Sequence, residues 1–313
     1  MIKILVHIPL YNKAATIERA INSVLHQDAA YYDILIIDDG STDDSFNVVK
    51  PVESDQVIIL SQENQGVSAT RNRAMKFALD KKYDAIAFLD ADDYWDTNHL
   101  NVLISLFDKF PEAEVAGANY RLKRSRKTLR TKFSNFKDQS DQLLEHFFEH
   151  NYLNSVLNCS NVMIRISAIK NVGYFAEKIT HYEDIDWFIR IGMNTSTAFS
   201  FTTTTTIDEA AGNRSDQIKM NDRELPDFTI YQAKTKNHKG LEKYLDLNRF
   251  SLAIAYRMDN NIKMASFYQQ QINSKNLSIT QQSLLKMSSL KLKSLKKTQE
   301  ILGNLGLNFR TGN

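Results

Sequence analysis

Between Lys3 and Asp93 the chain alternates four short apolar runs with stretches of helical spacing, and three of those runs end in polar or acidic residues. Lys3–Ile8, Ile34–Ile37, Val57–Leu60 and Ala85–Leu89 read as strands. Ala15–Leu25, with Ile17, Ala20, Ile21 and Val24 on one face, and Val67–Leu79, with Met75, Ala78 and Leu79, read as helices. Strands fully apolar along their length, separated by helices, demand a mostly parallel sheet covered on both faces. Such a sheet binds its ligands beyond the carboxyl ends of the strands. Tyr11-Asn12, Asp38-Asp39 and Asp90 to Asp93 all fall at those ends. A ligand site at the sheet's carboxyl edge follows from this coincidence.

The rhythm changes after residue 110. Glu114–Tyr120 reads as a strand, Gln139–His150 as a helix, Asn161–Ile166 as extended, Ile185–Ile191 as a helix and Ala198–Ile207 as a strand. From Asn221 onward only helical patterns and polar loops remain. The expected division is a catalytic domain over 1–218 and a helical C-terminal subdomain over 219–313. With 42% hydrophobic and 24% charged residues, the chain is globular. No apolar run approaches the roughly 20 residues of a membrane span. The N-terminus lacks the pattern of a secretory signal, so it is expected to be a buried strand. One cysteine, Cys159, excludes a disulfide framework and suits a reducing cytoplasm. A net charge of +2 calls for no nucleic-acid partner.

Asp90 and Asp92 stand two apart after an apolar strand, so their carboxylates share one side. Such a pair suits a hard divalent cation, Mg²⁺ or Mn²⁺, that neutralises a departing diphosphate; a solvated, helix-capping turn is the plain alternative. In Asp38-Asp39-Gly40-Ser41, a carboxylate can accept from a nucleobase imide, while Ser41 or Thr42 caps the next helix. Arg71 sits in the first turns of a helix, where a cation opposes the helix dipole, and that invites a functional explanation. Glu183, Asp184 and Asp186 precede or open an aromatic-rich helix. A carboxylate there is held as its anion and can serve as general base, or simply cap the helix. Phe188 reads as core. Trp187 suits either the core or a stacking platform for an acceptor sugar.

Taken in order, VHIPLYNKAATIERAINSVLHQ, ILIIDDGSTDDS, NQGVSATRN, AFLDADD and YEDIDWFIR resemble family 2 glycosyltransferases with the GT-A fold, over roughly Ile4 to Arg190. The resemblance implies inverting transfer from a nucleotide-sugar, usually a UDP-sugar, with a divalent metal. It implies that Pro9, Tyr11 and Asn12 lie at the nucleotide pocket. Asp39 contacts the base, Arg71 the nucleotide, and Asp90 the ribose and metal region. Asp92 is the metal ligand. Asp184 is the catalytic base, with Glu183 as the fallback and Asp186 behind it. Many relatives carry a His downstream, near an Arg-containing loop. Here Ala211-Gly212-Asn213-Arg214-Ser215 has none, which leaves Arg214 as the expected diphosphate contact.

The expected reaction is a single in-line displacement onto the hydroxyl of a glycan or lipid-linked acceptor in surface polysaccharide synthesis, at the cytoplasmic side. Basic residues crowd Arg121 to Lys132, and lysines interleave with leucines from Leu284 to Leu302. The first stretch suits an anionic acceptor, the membrane surface or a solvated loop. The second suits an interfacial helix or a tail helix packed on the domain, and the packed reading is preferred. A nucleotidyltransferase or a dinucleotide oxidoreductase expects a glycine-rich loop after the first strand, where this chain has Pro9-Leu10-Tyr11-Asn12-Lys13. A non-catalytic sugar-nucleotide-binding or scaffold protein is expected to have lost the base or the metal ligand, and both candidates are present.

Overall fold

The computed structural model describes residues 2–29, 31–124, 127–212 and 220–304, with the backbone alone over 299–304. Its first half runs β1 (Ile4–Leu10), α1 (Ile17–Leu25), β2 (Tyr32–Asp38), α2 (Ser45–Val49), β3 (Val57–Ser61), α3 (Val67–Asp80) and β4 (Ala85–Phe88). Then come β5 (Tyr94–Trp95), α4 (His99–Lys109), β6 (Val115–Arg124), β7 (Lys127–Arg130), β8 (Gln142–Leu143) and β9 (Val162–Arg165). The chain continues through α5 (Ile169–Val172), α6 (Glu183–Asn194) and β10 (Thr197–Asp208). It ends in α7 (Leu241–Met258), α8 (Ile262–Gln270), α9 (Ile279–Leu285) and α10 (Ser289–Asn304).

The strands form one sheet in the order β3-β2-β1-β4-β9-β6-β10-β5, with β7 beside β6 and β8 beside β10. The first four are parallel. β9 runs antiparallel to both β4 and β6, and β10 is parallel to β6. Six strands therefore share one direction, and their carboxyl ends form a single edge.

Alternation along β1 splits the core in two. Ile4, Val6, Ile8 and Leu10 pack with Ile17, Ile21 and Val24 of α1 and with Leu100 and Leu103 of α4. Leu5 faces the other way, toward Met75 and Ala78 of α3 and Trp187 and Phe188 of α6. Leu241, Tyr244, Leu245 and Leu252 of α7 belong to that second cluster, and the Tyr244 ring lies 5.5 Å from Phe148. The C-terminal helices thus extend the core of the sheet domain.

Three expectations need revision. Gln139–His150 is not a helix: Gln142 and Leu143 pair with β10, and Phe147–Asn151 form a 3₁₀ turn. Phe147 and Phe148 are both buried in the core, and the pairing of Gln142 and Leu143 with β10 takes the start of the segment into the sheet. Leu284 to Leu302 is two helices. Leu285 and Leu292 are buried while Leu290 is 81% exposed, so the packed reading accounts for part of the stretch. The basic stretch is a β6–β7 hairpin, in which Arg121 pairs with Asp96, Lys123 with Asp208 at 2.9 Å, and Arg124 with Glu209. Lys127, Arg130 and Lys132 are exposed, and Arg126 lies outside the described residues. No helix among the described residues is long and apolar enough to cross a membrane.

Candidate active site

The carboxyl edge gathers the acidic residues as the strand pattern requires. β4 ends at Phe88, and the turn after it holds Asp90, Asp92 and Asp93 in three different surroundings. Asp93 is buried; it accepts from Ser160 Oγ at 2.6 Å and from the Asp208 amide at 2.9 Å. The Ser160 hydroxyl also accepts the Asp90 amide at 3.1 Å. Burial first, then the neighbouring Asp90 and Asp92 charges, push the Asp93 carboxyl well above its usual range. Asp93 therefore holds the turn. Arg19 braces it from outside, donating to the Asp92 carbonyl at 2.6 Å and to Asp208 at 2.8 Å, with its guanidinium over Tyr94. The Asp92 carboxylate faces the site and accepts Lys13 Nζ at 2.8 Å.

β1 and β2 present a second wall. Asn12 adopts φ 49°, and its side-chain oxygen accepts the amides of Thr42 and Asp43 at 2.7 and 3.2 Å. Asn12 thereby stitches the β1 turn to the β2 turn. Tyr11, beside it, is 42% exposed, and Pro9 lies one residue before the end of β1 in register with Ile37. The buried Asp39 carboxylate accepts from the Gln62 side chain at 2.8 Å and from the Gln65 and Gly66 amides at 2.9 and 2.8 Å. It sets the shape of the turn that starts α3, where Gly66 needs φ 89°.

Arg71 is the bridge between these walls and α6. Only 4% exposed, it donates to Asp90 at 2.8 Å and to Glu183 at 3.3 Å. Its guanidinium is buried, while the Asp90 carboxylate that it holds is 36% exposed. Next to Glu183, the half-buried Asp184 carboxyl accepts the Ile185 amide at 2.8 Å. Burial, and then the Glu183 charge, push Asp184 up to about 7, with Arg71 acting against them. A carboxyl that ionises near neutrality at a site edge is what a general base requires. Asp186 faces away; it accepts Tyr231 Oη and the Arg190 guanidinium at 2.9 Å, tying α6 to the segment after residue 220. Burial first, and then the Asp184 charge, push the Tyr244 phenol of α7 above its ordinary range.

Trp187 is corrected to core. It is fully buried, stacks on Phe175 at 4.4 Å and donates to the Gly173 carbonyl, so it presents no face to an acceptor sugar. Arg214 lies outside the described residues. Sequence reasoning missed Lys13, Asp93 and Ser160. Asp93 was visible only as the third acid of a run, and Ser160 carried no signal at all.

Among the described residues no three His, Cys, Asp or Glu side chains converge as a metal cage. A magnesium-like cation needs less, since it takes one or two carboxylates and fills its shell with phosphate oxygens and water. Asp92, mostly shielded and already holding a cationic group, fits that kind of site.

An α/β sheet with an acidic carboxyl edge and a following helical layer defines a GT-A-type protein. The model of Glycosyl transferase family 2 matches residues 5–173, and the chain belongs to that family. Two relatives from Escherichia coli are named UDP-Glc:alpha-D-GlcNAc-diphosphoundecaprenol beta-1,3-glucosyltransferase. WfgD is 37% identical over 102 residues, covering 32% of this chain and 39% of the relative. WfaP is 29% identical over 176 residues, covering 53% and 62%. The chain thus matches less than two thirds of either relative's length. The structure of S. aureus TarS 1-349 in complex with UDP-GlcNAc superposes with a TM-score of 0.64 at 18% identity, covering 99% of this chain and 93% of that one. At that identity the likeness is one of fold.

Proposed function

We propose that this protein is an inverting glycosyltransferase that moves a sugar from a UDP-sugar to a hydroxyl of a lipid-linked glycan in surface polysaccharide synthesis. The observation that carries the reading is the placement of Asp184, with its raised pKa, beside Glu183, Arg71 and Asp90 on the carboxyl edge. The named activities of the two E. coli relatives supply the donor and acceptor classes.

In this reading Tyr11 and Asp39 receive the nucleobase, and Asn12 keeps the two turns in register around it. Arg71 holds Asp90 toward the ribose. Asp92, with Asp90 beside it, would hold Mn²⁺ or Mg²⁺, which when bound supplies charge neutralisation for the leaving diphosphate. Arg214 is proposed as a further diphosphate contact. Asp184 takes the proton from the acceptor hydroxyl as its oxygen attacks the anomeric carbon and the bond to the diphosphate breaks. One displacement inverts configuration. Glu183, paired with Arg71, sets the charge next to the base. The proposed setting is the cytoplasmic face of a membrane, where a lipid-linked acceptor is reached without crossing it. The helices α7 to α10 are proposed as the region that covers Asp184.

The test is a thermal-shift screen of UDP-, GDP-, dTDP- and CMP-sugars with and without Mn²⁺. Specific binding raises Tm with ligand concentration. A Mn²⁺-dependent rise with a UDP-sugar is expected. No rise with any donor, for folded protein, overturns the reading.

A further inference from the structure

We infer that Lys13 is the resting counter-ion of Asp92, and that its ammonium must leave that carboxylate before a divalent cation can bind there. The inference rests on the proposed role of Asp92 as the metal-side carboxylate. Lys13 Nζ lies 2.8 Å from Asp92 Oδ2, with the two side chains 14% and 13% exposed. The pair is thus screened from water on most sides, where a charge-assisted contact is stronger than at an open surface. The other described cations around it pair with other carboxylates: Arg71 with Asp90 and Glu183, Arg19 and Lys123 with Asp208, although Arg19 also donates to the Asp92 carbonyl.

The backbone around Lys13 is built as a fixed pivot. Its amide donates to Ser45 Oγ at 2.8 Å, and Asn12 before it is locked in the left-handed region by its bonds to the β2 turn. The anchor does not move, but the four-carbon stem can swing. The same ammonium also donates to the Gly212 carbonyl at 3.0 Å. Lys13 therefore clips the chain just beyond β10 to the acidic turn after β4. When a divalent cation takes Asp92, both contacts are lost together. The incoming diphosphate then offers the displaced ammonium a new anionic partner. The lysine makes cation entry and release of Gly212 a single event.

The experiment is a Mn²⁺ titration of the full chain without nucleotide, with unbound Mn²⁺ followed by EPR. Wild type is compared with Lys13→Gln, Lys13→Arg, Asp92→Asn and the Lys13→Gln/Asp92→Asn double variant, each checked by circular dichroism. Lys13→Gln should bind Mn²⁺ more tightly by about tenfold, the scale of one hydrogen bond to a charged group. Lys13→Arg should stay near wild type, and the double variant should lose the gain. Binding by Lys13→Gln alone, with none by wild type, is the same result in stronger form. If Lys13→Gln binds as wild type does, or less tightly, while Asp92→Asn weakens binding, the counter-ion role is overturned and the metal-side reading of Asp92 stands. If Asp92→Asn binds like wild type, or no form binds at millimolar Mn²⁺, that reading falls and takes the inference with it.

Discussion

Asp184, proposed as the base, costs the fold stability, and the two effects separate with pH. Its carboxyl titrates near 7 in the folded chain against 3.8 as the ordinary value. Transfer by the wild type should therefore rise as pH passes through about 7, because only the ionised form accepts a proton. Asp184→Asn should bind donor normally and lose about 10²–10⁴-fold in transfer rate; transfer at the parental rate would remove Asp184 as base. Stability runs the opposite way. Between 3.8 and about 7 the folded state holds a proton that the unfolded state has released, so stability falls as pH rises across that window. Asp184→Asn should melt above wild type at pH 8, and the gap should close toward pH 4. Ser160 is the second test. Its hydroxyl joins Asp93 to the Asp90 amide, and Ser160→Ala should cost about 1–3 kcal/mol in a denaturant melt while weakening donor binding. These two residues also mark how far sequence reaches. Asp184 was legible because acids before an aromatic helix form a recognisable pattern. Ser160 was not, since its importance comes from β9 lying next to β4, a contact 70 residues long in sequence. Trp187 stayed ambiguous because helical spacing places an aromatic on a face without saying what that face meets.

At the scale of elements, α6 works because it approaches its neighbours closely. A Cβ on Gly192 would lie 2.3 Å from the Phe147 ring, so Gly192→Ala should force the helix outward. Overpacking of this kind costs about 1–3 kcal/mol. It should lower Tm and also slow transfer, because Asp184 rides on the same helix. A fall in Tm with transfer unchanged would show the helix's N-terminus to be independent of its middle. The 3₁₀ turn that carries Phe147 was read from sequence as helix. Local polar residues with helical spacing suggested one, but the turn is fixed by two aromatic rings reaching the core. Strands β1, β2 and β4 were legible because burial on both faces writes a continuous apolar run, and β3, at the sheet edge and only partly buried, is apolar enough to read the same way. β9, β8 and β5 are short and take their places from pairing partners far along the chain.

At the scale of the molecule, the C-terminal helices share a core with the sheet. Tyr244, Leu245 and Leu252 pack in the cluster that holds Leu5 and Trp187. One cooperative unfolding transition is expected, seen alike by far- and near-ultraviolet circular dichroism. Two resolved transitions would show that 219–313 unfolds as its own unit. The helices themselves were visible in the sequence; their docking was not, because periodicity names an apolar face without naming its partner.

The antiparallel course of β9 ties the acidic turn to the frame of the sheet. Entering the sheet from the carboxyl edge, β9 brings Ser160 to the acidic turn and is clamped by a neighbour on each side. On its way from β6 to β9 the chain adds β7 and β8 to the sheet and Phe147 and Phe148 to the core before it returns to that edge. The stretch that delivers Ser160 to the acidic turn is therefore knitted into the frame: a change in its length has to preserve two strand pairings and two buried rings, so reshaping the site there and reshaping the fold are one problem.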